Sequence, residues 1–153
     1  MAQAAAASAA QNGRAITGSA FVSLPPLRKI LVVDHARETR SIVGFALGNL
    51  NNFQIAACET GPEALQMAPA FAPDLLMDVG MPGMDGIHTV MVLREAGIKA
   101  PVVFFTSHLS PDDLERYRSL GAIGTIAKPF NPLHVVRKLK EMWRLHHTRV
   151  PAA

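Results

Sequence analysis

Five short apolar runs, each followed by a stretch of helical period, constrain the fold of this chain more than any other feature. The runs are Ile30 to Val33, Phe53 to Ala57, Leu75 to Met77, Val102 to Phe105 and Thr125 to Ala127. Strands that are short and almost wholly apolar suit a parallel sheet buried on both faces. Parallel neighbours need a crossover, and that crossover is right-handed. The alternation therefore predicts an α/β fold, a three-layer αβα sandwich around a five-stranded parallel sheet.

The intervening segments carry helix signals of identifiable kinds. The first, from about Arg37 to Asn49, puts Ile42, Val43, Ala46, Leu47 and Leu50 on one stripe, with Gly44 and Gly48 expected to let it approach the sheet closely. The second opens at Gly61 and Pro62, and Pro69 is expected to end or kink it. A third runs from about Gly86 to Ala96 and stops at Gly97. In the fourth, Ser110 can cap, Pro111 suits the first turn, and Asp112 and Asp113 favour the positive end of the helix dipole; Gly121 ends it. The fifth starts with Asn131 as cap and Pro132, then sets Leu133, Val136, Leu139 and Trp143 along one face.

Composition narrows the class. At 49% apolar and 18% charged residues, the chain is too apolar for disorder, and its apolar runs fall far short of the roughly 18–20 residues that span a bilayer. One cysteine, Cys58, makes no internal disulfide, which suits a reducing, cytoplasmic setting; it reads as a small packed hydrophobe. The 153 residues fit one domain over 28–146, with an Ala-rich disordered tail over 1–27 and a short tail over 147–153. The opening MAQAAAAS lacks the basic start and strong apolar stretch of a secretion signal. Although the pI is about 9.4, the charge is segregated: +3 over residues 1–30, −4 over 31–130 and +4 over 131–153. A nucleic-acid footprint has a basic patch with interleaved aromatics; here the two basic ends carry just one aromatic each, Phe21 and Trp143, so no DNA-binding domain and no membrane partner are expected.

In open α/β sheets, ligands bind outside the carboxyl ends of the strands. Four runs end there in a polar residue: Asp34 after ILVV, Asp78 after LLM, Thr106 after VVFF and Lys128 after TIA. Together with KILVVD, TGPEAL, DVGMPGMDG, PVVFFTS and GAIGTIAKPF in that order, these residues give the chain, over 29 to about 145, a close likeness to another group: it resembles the receiver domain of bacterial response regulators, the CheY-like phosphoacceptor modules of two-component and phosphorelay systems. The resemblance implies a flavodoxin-like sheet of order 2-1-3-4-5. It implies a phosphoacceptor at Asp78, a signalling hydroxyl at Thr106, a phosphate-binding Lys128 and a cis peptide between Lys128 and Pro129. It also implies Mg²⁺ held by Asp34, Asp78 and the backbone carbonyl of Gly80.

The chemistry is consistent with that likeness. Phosphoryl transfer to a carboxylate needs charge on the equatorial oxygens neutralised while attacking and leaving atoms stay in line. Mg²⁺ prefers oxygen ligands, typically one or two carboxylates, phosphate and water; Lys128 adds a compact positive charge, and Thr106 can donate to a phosphoryl oxygen. Gly83 and Gly86 flank Asp85 in a loop that must turn sharply.

Three departures stand out. His35 occupies the place where receivers carry a second acid, and imidazole is a poor ligand for a hard cation, so weakened Mg²⁺ binding and slow phosphorylation are expected. Thr125 stands where the family often has an aromatic ring that moves with the switch hydroxyl; readout must then use backbone shifts or other side chains, Tyr117 on the fourth helix among them. Gly80 and His108 sit at positions that tune loss of the phosphoryl group. His88, His134, His146 and His147 show no ligand spacing for zinc.

The expected function is that of a stand-alone, single-domain response regulator. It takes a phosphoryl group from a histidine kinase or histidine phosphotransfer protein, signals to a downstream protein by contact, and is not an enzyme beyond its own phosphorylation and dephosphorylation. The competing reading is a degenerate receiver that docks partners without being phosphorylated. A nucleotide- or flavin-binding enzyme of the same fold would need a Gly-rich phosphate loop, and DHARETR after the first strand contains no glycine.

Overall fold

The computed structural model describes residues 24–79, 86–106 and 110–148. Five parallel strands, β1 (Lys29–Val33), β2 (Gln54–Cys58), β3 (Leu75–Val79), β4 (Val102–Thr106) and β5 (Ala122–Ala127), form one sheet of order β2-β1-β3-β4-β5. Among the described residues, four crossover helices and one that follows the last strand cover it: α1 (Arg37–Gly44, continued by a π-helical turn Phe45–Asn49), α2 (Gly61–Phe71), α3 (Gly86–Glu95), α4 (Pro111–Ser119) and, after β5, α5 (Pro132–Thr148). The expected sandwich and strand order are both present. The strand bodies fill the interior, since Ile30, Leu31, Val32, Leu75, Met77, Val102 and Val103 are wholly buried.

Two cores follow from the period of two along each strand. On one face Ile30, Val32, Met77, Val103 and Phe105 meet Val43 and Leu47 of α1 with Val135, Leu139 and Trp143 of α5. On the other, Leu31, Val33, Leu76 and Phe104 meet Ala64 and Ala68 of α2 and Val90 and Leu93 of α3. The carboxylate of Asp74, just before β3, accepts the backbone N–H groups of Arg28 and Lys29 at 2.9 Å each, which fixes where β1 starts beside β3.

Several local expectations are corrected. Val43, Ala46 and Leu47, at i, i+3 and i+4, are the buried stripe of α1; Ile42 at its border and Phe45 face solvent, and Leu50, after the π-helical turn, faces solvent too. Gly44 has open space where a Cβ would stand; only Gly48 approaches the sheet, 3.5 Å from Ile55 on β2. Pro69 does not end α2, which continues to Phe71 and stops at Ala72 in the left-handed region (φ 53°). A proline this close to the end forfeits one backbone hydrogen bond, and the capping box between Thr60 and Glu63 secures the other end. In α5 the buried face is Val135, Val136, Leu139 and Trp143, whereas Leu133, in the first turn, is 68% exposed. Trp143 Nε1 donates to the carbonyl of Pro25 at 2.8 Å, which ties the chain before β1 to α5, and α5 runs to Thr148.

Candidate functional site

Asp34 is the first residue beyond β1, and its N–H still donates to Cys58 O at 3.1 Å, so it sits at the carboxyl edge of the sheet by continuation of the ladder. It is 1% exposed. Its Oδ1 accepts the N–H of Ala36 at 3.0 Å, a short turn that starts α1. Its Oδ2 is buried without a hydrogen-bond partner. Burial raises the carboxyl above its ordinary value near 3.8; the Ala36 N–H pulls it back, and Lys128, His35 and the hydroxyl of Thr39 do so in weaker measure. Arg40 Nη1 donates to the carbonyl of Asp34 at 2.6 Å and holds the backbone in place from α1.

His35 is half exposed, with Nδ1 3.6 Å from Asp34 Oδ1. Lys128 follows β5 and its N–H donates to Thr106 O at 2.9 Å, so the end of β4 and the turn after β5 are tied by backbone. The Lys128–Pro129 peptide is cis, as expected. Past it, Phe130 packs edge-on against Phe105 with ring centroids 4.9 Å apart, and Asn131 Oδ1 caps α5 by accepting the N–H of Leu133 at 2.9 Å. Thr106 ends β4, paired in register with Ala127.

Asp78 lies within β3 rather than after it, one residue from the strand's end. It is in register with Val33 on β1 and Phe104 on β4. Thus Asp78 lies one strand from both Asp34 and Thr106 at the same edge, and the charge of Lys128 reaches Asp34 there. Gly80, Gly83, Asp85 and His108 lie outside the described residues. Thr125 faces a cavity between α4 and α5, and Cys58 is buried at the end of β2. Sequence reasoning did not single out Thr39 and Arg40, which support Asp34 from the first helix; their place in DHARETR, in the first turns after the strand, was the available signal.

Buried anionic oxygen without a donor is what a hard divalent cation requires of its site, and Asp34 Oδ2 supplies it. With His35 in place of a second carboxylate, the donor set fits such an ion with one fewer negative charge. Receiver domains generally bind Mg²⁺.

Comparison with known proteins agrees with this geometry. The family model for the response regulator receiver domain matches residues 30–140. The chain is 32% identical over 121 residues to the transcriptional regulatory protein CpxR of Escherichia coli, covering 79% of this chain and 51% of that protein. It is 32% identical over 129 residues to the alkaline phosphatase synthesis transcriptional regulatory protein PhoP of Bacillus subtilis, covering 82% and 52%. It thus spans about half the length of these relatives. Among solved structures, the chemotaxis response regulator CheY4 of Vibrio cholerae superposes with a TM-score of 0.68 at 27% identity, over 76% of this chain and 99% of that one. A five-stranded parallel sheet in this strand order, a buried aspartate at its carboxyl edge and a family match over most of its length place the chain in the response regulator receiver domain family.

Proposed function

We propose that this receiver accepts a phosphoryl group on Asp78 from a histidine kinase or histidine phosphotransfer protein and conveys its state to a downstream protein by contact, in a cytoplasmic signalling pathway. The observation that carries the proposal is Asp34: a buried, unpartnered carboxylate oxygen at the carboxyl edge, one strand from Asp78 and within reach of the Lys128 charge. Such a group is costly unless a ligand uses it.

A carboxylate oxygen of Asp78 would attack phosphorus as the bond to the donor's leaving atom breaks. The leaving atom keeps that electron pair, and a departing imidazole takes up a proton. Asp34 and Asp78, with the Gly80 carbonyl that the family likeness implies, would hold a divalent cation, which would supply positive charge to the phosphoryl oxygens. Lys128 places an ammonium at the same edge for a phosphoryl oxygen. Thr106 would offer a hydroxyl to the acyl phosphate once formed, and the backbone bond from Lys128 N to Thr106 O ties the two residues together.

Incubation with Mg²⁺ and acetyl phosphate, followed by intact mass, tests this. A phosphate-sized increment that disappears in Asp78→Asn supports it. A protein that is folded by circular dichroism but gains no increment favours the second reading, a docking module that works unphosphorylated. His35 motivates that reading, since an imidazole here leaves the cation short of a carboxylate.

A further inference from the structure

Helix α4 is attached to the sheet in an unusual way. Among its nine residues none is buried, whereas α1, α2, α3 and α5 each bury side chains in the two cores. Its aromatic contact with the sheet is Tyr117, whose ring stacks on Phe104 of β4 with centroids 4.4 Å apart and planes 21° from parallel. Phe104 is itself buried. It stands two residues before Thr106, so both project from the same face of β4. Its register partners are Asp78 on one side and Thr125 on the other.

Beside this stack there is room to move. A cavity of about 350 Å³ lies between α4 and α5 over β5, lined by Leu114, Tyr117, Gly124, Thr125, Met142 and Leu145 among others. Residue 125 is a threonine and residue 124 a glycine, so no ring rises from β5 into that space. The Met142 thioether occupies the place a Cβ at Gly124 would take. A helix without buried side chains, resting on the sheet through the partly buried Leu114 and Tyr117 and bordered by a cavity, is the kind of element for which two packings lie close in energy.

We propose that Tyr117 is a positioning residue of the switch: stacked on Phe104, its ring passes the state of Thr106 from β4 to α4, the task for which β5 has no ring at Thr125. An inward pull on Thr106 draws on β4, and Phe104 is on the same strand face two residues away. Its flat face then carries Tyr117, and with it α4, relative to the cavity. Only a ring at residue 117 can follow Phe104 by sliding in plane while keeping contact; a branched aliphatic side chain fills similar space without that face. The proposal rests on the reading of Asp78 as phosphoacceptor for the signal's origin, but the link from Thr106 to Tyr117 can be measured without it.

The experiment uses the full chain with Mg²⁺ and a maintained excess of acetyl phosphate. Intact mass gives the adduct yield, and NMR follows the methyl groups of Met142 and Leu114. The parent and Tyr117→Phe are expected to show equal adduct and equal methyl shifts. Tyr117→Leu is expected to keep the adduct yield within twofold while the methyl shifts fall at least threefold. Rescue by phenylalanine separates a ring-specific role from mere loss of packing. Equal shifts in Tyr117→Leu and parent, at equal adduct, would overturn the proposal. Independently, Thr106→Ala should move the ring resonances of Tyr117, the only tyrosine of the chain; an unmoved ring overturns the link directly. If the parent forms no adduct while the Tyr117 ring responds to Thr106→Ala, the phosphoacceptor reading fails and the link stands.

Discussion

Helices α4 and α5 flank the same strand and begin alike, yet they are held to the sheet by very different means. Ser110 caps α4 by accepting the N–H of Asp113 at 3.1 Å, with Pro111 next; Asn131 caps α5, with Pro132 next. Beyond the cap they diverge. Helix α5 buries Val135, Val136, Leu139 and Trp143, and Trp143 is further tied to Pro25. Helix α4, with the sequence PDDLERYRS, offers the sheet only Leu114 and Tyr117 and buries neither. One helix belongs to the frame and the other rests on it. The lesson is that buried contact in this receiver is concentrated in the frame and not in α4. Asp34 continues the contrast: directly after four buried apolar residues of β1, it brings a carboxylate into the interior at a net cost.

The largest effect should come from the frame. Leu139 is fully buried in α5, and Leu139→Ala should lower the unfolding free energy by about 2–5 kcal/mol through lost burial and a residual cavity. Urea denaturation measures it. A loss below about 1 kcal/mol would mean that α5 is no better anchored than α4, and the contrast would be broken.

The next effect has the opposite sign and lies at the carboxyl edge. Burial raises the pKa of Asp34 in the fold, so between its ordinary value and the raised one the native state binds more protons than the unfolded chain. Stability from this group is therefore fully present below the ordinary value and is lost as pH rises through the raised one. At pH 7 without divalent cation, Asp34→Asn should stabilise the protein by about 1–3 kcal/mol, the typical cost of a buried group lacking its partner. The gap between parent and variant should close as pH falls towards 4, and also as Mg²⁺ is added, because a ligand bound by the native parent stabilises it by mass action. Thermal melts of both proteins across pH check all three statements. A destabilised Asp34→Asn at pH 7 would show that this edge is built for stability after all.

A smaller effect concerns the cation itself. Restoring a carboxylate by His35→Asp should tighten Mg²⁺ about tenfold, equivalent to about 1.4 kcal/mol, since a hard ion gains an oxygen ligand and a negative charge. Trp143 fluorescence or NMR titration reads it. An unchanged affinity would mean that His35 does not weaken the site and that the contrast between the edge and the frame owes nothing to it.

Much of this was legible in the amino-acid order, for physical reasons. The central strands announce themselves because burial on both faces leaves their bodies apolar, and the caps at Ser110 and Asn131 are local chemistry. That Asp34, Thr106 and Lys128 stand at the same edge of the sheet follows from strand ends in a parallel sheet, so their placement too was within reach. What escaped depends on phase or docking. A π-helical turn after Gly44 carries Leu50 off the buried stripe, which no 3.6-residue template contains. Leu133 and Val135 are both apolar, and only the angle at which α5 meets the sheet decides which is buried. The stack of Tyr117 on Phe104 joins a helix to a strand 13 positions earlier, and nothing local marks it. That Oδ2 of Asp34 would be left without a donor is equally a property of the assembled edge.

The finest test of the contrast is Leu114→Ala. Leu114 stands on α4 at the rim of the cavity, only partly buried, so its truncation removes little contact and opens no closed void. The expected cost is below about 1 kcal/mol, against several for Leu139→Ala, since substitutions outside the core act weakly. Because Ser110 still caps the helix, the change should leave global unfolding nearly as it was. Amide exchange along α4 should nevertheless quicken relative to α5, as expected where local opening is decoupled from global unfolding. Hydrogen exchange of both helices in parent and variant makes the comparison within one molecule. If α4 and α5 exchange at the same rate in the parent, α4 unfolds only with the whole domain, and its few contacts hold it as firmly as the four buried side chains hold α5.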